Sequence, residues 1–96
     1  MARLVLQGPL IDKGYEQITS LATAATLTVP AGAWIAIIQA EDNNVRWRSD
    51  GTDPEVAVGM VLAAEEELVL QGAALLAAVK FIQEAAAKLN VQYFGG

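Results

Sequence analysis

Ninety-six residues make one domain, with no cysteine, no histidine and a formal net charge of −5. That composition excludes a disulfide framework and thiolate chemistry, and all but excludes zinc. It removes the commonest general base and argues against sequence-independent nucleic-acid binding, which needs a basic footprint.

Hydrophobic residues at 54% and charged residues at 18% argue against disorder. A chain of this size buries roughly 60–65% of its unfolded surface, so some apolar side chains are expected to stay exposed. Exposed apolar area marks interfaces, and an oligomer or a docked subunit is the expectation. The opening MARLVLQGPLIDKG has too short an apolar run for a signal peptide, and no later segment reaches the length of a membrane span. A soluble protein made in the cytoplasm, with no membrane partner, is expected.

In chain order, residues 3–7 read as a short strand ended by Gly8-Pro9. Residues 11–14 read as a polar turn, and residues 15–21 as a second strand with imperfect alternation. Residues 24–29 alternate well, with Thr26 and Thr28 on one face and Leu27 and Val29 on the other. Pro30-Ala31-Gly32 breaks that strand. Residues 33–39 are a continuous apolar run, suited to a strand buried on both faces or lying at an interface. Residues 34–48 read as a β-hairpin turning at residues 42–44, with Val45 and Trp47 facing the core and Arg46 and Arg48 facing out.

Residues 49–54, Ser-Asp-Gly-Thr-Asp-Pro, form the strongest loop. A strand over 56–61, with Gly59 at a bulge, a turn at 63–65 and a strand over 67–70 follow. Residues 73–89 favour a helix by propensity, but three features oppose one. No good N-cap precedes it. The tail Leu89, Val91, Tyr93 alternates with Asn90 and Gln92 as a strand. A displacement of 44 residues lays Phe81-Ile82-Gln83 on Ile37-Ile38-Gln39 and residues 89–92 on Val45-Arg46-Trp47-Arg48. The expectation is strand, tight turn near 85–87, strand: a second copy of the hairpin. The sum is an all-β domain over residues 1–96, a small β-sandwich or barrel of eight or nine short strands.

No catalytic motif, metal set or cofactor motif stands out, and an enzyme is not expected. Arg46, Trp47 and Arg48 form either an interface, where Arg and Trp are enriched, or a core tryptophan between two solvated arginines. Glu65-Glu66-Glu67 either holds a cation, meets a basic partner surface or is a solvated face. Asp50-Gly51-Thr52-Asp53 hints at calcium but lacks a late bidentate glutamate, so an Asp-Gly turn explains it better. Trp34 is either a core plug or an exposed platform for sugar or protein.

The string LTVPAGAWIAIIQAEDNNVRWRSDGTDPEVAVGM, then an acidic turn, VKFIQE and KLNVQYF, resembles small structural proteins of tailed bacteriophages. The likeness spans residues 27–94 and rests on the order of the motifs. Those relatives carry a glycine in the acidic turn where this chain has Glu65 or Glu66, and a polar turn where it has residues 73–77. The resemblance implies a jelly-roll-like β-sandwich in the virion, a capsid decoration or cement subunit. Its partners would be the major capsid protein or other virion proteins, and copies of itself as a dimer or trimer. Neither nucleic acid nor a cofactor is implied. The other reading is a tail or fibre-associated module that binds a host-surface glycan or another tail protein, with Trp34 or Tyr93 as a stacking platform. The interface residues expected are Trp34, Arg46, Trp47, Arg48 and Tyr93.

Overall fold

Leucine, valine and tyrosine alternate with asparagine, glutamine and phenylalanine from residue 89 to 94, and the chain answers with a strand in which every second side chain is buried. The same period of two elsewhere makes the molecule largely sheet-built. The computed structural model describes residues 10–96, so the strand expected over 3–7 lies outside the described residues. The elements are β1 (Ile11–Ile18), β2 (Ala25–Thr26), β3 (Ala33–Glu41), β4 (Val45–Arg48), β5 (Met60–Leu62), β6 (Glu67–Gln71), α1 (Ala73–Ala78), β7 (Lys80–Gln83) and β8 (Lys88–Gly95).

The strands form two four-stranded antiparallel sheets, ordered β1-β8-β3-β6 and β2-β7-β4-β5. First pairs with last, second with second-last, and so inward: β1 with β8, β2 with β7, β3 with β6, β4 with β5. The chain is therefore one long double ribbon, folded at the β4–β5 connection and rolled so that successive pairs fall in alternate sheets. That is the strand order of a jelly roll. Rolling adds the contacts β3 with β8 and β4 with β7 that fuse the pairs into sheets.

The core lies between the sheets. In register, Ala36 sits between Tyr93 and Leu70, and Ile38 between Val91 and Leu68, all on the inner face of the first sheet. Val45, Leu62 and Phe81 answer them from the second. Among the described residues no polar or charged residue is buried, so the sandwich is held by apolar burial and by backbone ladders.

Several expectations change. Residues 34–48 are not a hairpin, because β3 and β4 belong to different sheets. They form an arch that crosses from one sheet to the other at residues 42–44. The 44-residue echo is real in a different sense. Exchanging the two sheets takes β3 to β7 and β4 to β8, so the echo is a second arch crossing the opposite way. The two crossings lie side by side, tied by Asn43 Nδ2 donating to Ala86 O at 2.7 Å and Glu84 N–H donating to Asn44 O at 3.0 Å. Residues 11–14 are strand, not turn, with a bulge between Asp12 and Gly14 that glycine permits at φ +132°. The strand at 24–29 shrinks to two residues, and that at 56–61 to the three of β5.

Residues 73–89 divide. The expected strand, turn and strand hold from Lys80 onward, but residues 73–78 make one and a half turns of helix. Six residues cannot hold a helix alone. This one lacks a side-chain cap and is pinned by Leu76, which is fully buried.

Candidate functional site

Seven large apolar side chains stand exposed among the described residues, and four of them fall between positions 56 and 61: Val56 at 53%, Val58 at 46%, Met60 at 61% and Val61 at 50%. They occupy the fold of the ribbon and the strand that leaves it. Strand β5 is the edge of its sheet: among the described residues it has β4 on one side and no strand on the other. One side of its backbone has no ladder partner among them, the arrangement that accepts an added strand or a docked surface.

The local sequence fixes this edge firmly. Glu55 and Val58 exchange backbone hydrogen bonds of 2.8 and 3.0 Å, which pushes Val56 and Ala57 to the tip of a tight turn. Gly59 follows at φ +141°, where a Cβ would come within 3.1 Å of Trp47 O and 3.3 Å of Pro54 Cβ. Only glycine lets the connection lie this close to β4. Three cations then hold the connection down. Arg46 Nη1 donates to Gly59 O at 3.2 Å while its Nε meets Glu84 at 2.5 Å. Arg48 grips Asp50 through two nitrogens at 3.0 and 2.5 Å. Lys80 Nζ meets Asp53 at 2.7 Å. The Arg48 hydrogen bonds hold the Asp50 carboxyl below the usual carboxylate range, with the Thr52 N–H adding to the effect. A shallow open groove of about 410 Å³ runs beside the edge, lined by Trp47, Arg48, Val58 and Met60 among others.

The expected interface residues separate. Arg46, Trp47 and Arg48 come together on β4, beside the exposed edge. Trp47 packs partly buried on the core and also lines the groove. The two arginines are occupied by acids of their own chain rather than left for a partner. Trp34 lies in the other sheet at the start of β3, 36% exposed. Tyr93 lies inside the sandwich at 1% exposure, so it offers no surface to sugar or protein. Its pattern carried that answer, since it shares a strand face with Leu89 and Val91. Val56, Val58, Met60 and Val61 were not singled out, because alternation reads the same in an edge strand and in a central one.

The remaining acidic motif at 50–53 works as a clasp. Its two aspartates are spent on Arg48 and Lys80, and among the described residues no group of three or more acidic side chains is placed to hold a metal ion. The outer face of the first sheet carries polar side chains that already have partners. Tyr15 and Gln17 both donate to Asn90, which donates to Glu41, and Gln92 donates to Asp12. No family model, no curated protein and no solved structure matches the chain.

Proposed function

We propose that this chain is a bacteriophage virion structural subunit, a capsid decoration or cement protein that acts by lying against other virion proteins rather than by catalysis. The observation that carries the reading is the exposed apolar stretch at 56–61, whose connection to β4 and β7 is tied by three cations and whose strand is, among the described residues, a sheet edge. The resemblance of residues 27–94 to phage structural proteins supplies the setting. Jelly rolls serve in viral shells and in lectins alike, so the fold is compatible with the reading without choosing it. A dimer or trimer would use the other sheet, which carries the remaining exposed apolar side chains Ile11, Tyr15 and Trp34.

A subunit that binds only the assembled shell stabilises it by mass action. Purified protein added to stripped shells of its phage should therefore raise their melting temperature in a saturable way, and Met60→Ser should weaken the effect. Shells that neither bind the protein nor change their melting would remove the proposal. The exposed indole of Trp34 sustains the second reading, a glycan-binding tail module. Glycan binding lost on Trp34→Ala, without any effect on shells, would select it.

A further inference from the structure

The carboxylates of this chain are not spread evenly, and their distribution names the kind of surface that fits the β5 edge. Of eleven acidic side chains, Asp42, Asp50, Asp53 and Glu84 are in ion pairs. Asp12, Glu16 and Glu41 accept hydrogen bonds from the polar groups of the first sheet and its flank. Among the described residues, the four with neither are Glu55, Glu65, Glu66 and Glu67. All four bracket β5, with Glu55 before it and Glu65, Glu66 and Glu67 in the turn and strand start after it. Glu55 is near enough to Arg48 to be felt by that cation, but the two form no ion pair. The exposed apolar strip thus has, before and after it in the chain, carboxylates that form no ion pair among the described residues.

We infer that the edge docks a protein surface of the matching kind, an apolar strip with lysines or arginines at its ends, and not a second copy of this chain. Charge complementarity carries the choice. Two copies seated edge to edge would each bring the same unpaired glutamates to the contact, and like charges brought together repel. Area limits the contact whatever the partner. Four half-exposed side chains make a patch on the order of 300 Å², against about 800 Å² per partner in a stable complex of standard size. An edge this small gains strength from steering by opposite charge and from many copies acting together on one repeating surface. The inference rests on the docking reading above and assigns the partner's chemistry to it.

The test uses two synthetic peptides, one alternating valine with lysine and one alternating valine with glutamate, added to the whole ¹⁵N-labelled chain. The lysine peptide should bind saturably, with amide shifts confined to residues 55–62 and 65–67, and its affinity should fall as salt rises from about 0.05 to about 0.5 M. Affinity should drop about tenfold in the triple variant Glu65→Gln, Glu66→Gln, Glu67→Gln and in Met60→Ser, each checked for an unchanged spectrum away from the edge. Equal binding of the glutamate peptide, shifts scattered over the first sheet, or full affinity in both variants would overturn the inference. So would a dimer in sedimentation that Met60→Ser abolishes, since the occupant would then be a second copy. Shell binding that survives both variants would leave the virion reading standing and remove this edge as its contact. Peptide binding at the edge without any effect on shells would do the reverse.

Discussion

Tyr93 carries its hydroxyl into the flank of the sandwich, where it donates to Glu16 Oε2, the same oxygen that accepts Thr28 N–H at 2.9 Å. One carboxylate so ties β8, β1 and the segment before Pro30 together. Burial, and after it the hydrogen bond to Glu16, pushes the phenol far above its ordinary value of 10.0. In the unfolded chain the phenol ionises near pH 10, while the folded chain holds the proton to higher pH. The stabilisation is therefore full below about pH 10 and is lost as pH rises beyond it. Tyr93→Phe should cost about 1 kcal/mol in urea unfolding at neutral pH. It should also flatten the alkaline fall in stability above pH 10; an equally steep fall in the variant would place the cause elsewhere. Glu65 is the other telling residue. It sits at φ +69°, a left-handed conformation that suits glycine.

At the scale of elements, α1 shows packing deciding what propensity leaves open. The alanine and leucine run could continue as helix through residue 89 on propensity alone. It stops at Val79, whose backbone turns extended with its side chain fully buried, because residues 80–83 complete the second sheet against β2 and β4. Leu76 is the fully buried side chain of the short helix, with Leu75 packed beside it against the core. Leu76→Ala should cost about 2–5 kcal/mol and should abolish hydrogen-exchange protection at the Leu76 and Val79 amides before it affects β8. An exposed alanine change beside it, Ala77→Ser, should stay within about 0.5 kcal/mol.

For the molecule as a whole, the rolled ribbon means that nearly every pairing joins distant parts of the chain. Strand β1 at one end pairs with β8 at the other, and β8 is an interior strand of its sheet. Closing such loops before any contact rewards them makes folding slow, in the range of milliseconds to seconds, and cooperative. Stopped-flow refolding should show that slow range, and circular dichroism should show a sheet spectrum without helical minima. Removing residues 88–96 should abolish the cooperative transition altogether, since β1 and β3 would both lose their common neighbour. A truncated chain that still melts cooperatively would contradict the topology.

The sequence determined that the domain is all-β, that the continuous apolar run 33–39 and the alternating run 89–93 are strands, and that Val45 is core, because apolar patterning records which side of a strand meets water. It did not determine whether residues 34–48 and their echo are hairpins or arches. A polar turn is the same sequence whether the chain returns to its own sheet or crosses to the other, and only the fit of β3 between β6 and β8 decides. Nor did it separate the edge at 56–61 from an interior strand. Exposure there comes from where the residues sit, in a turn and on an edge strand, and that placement leaves no mark on the residues themselves.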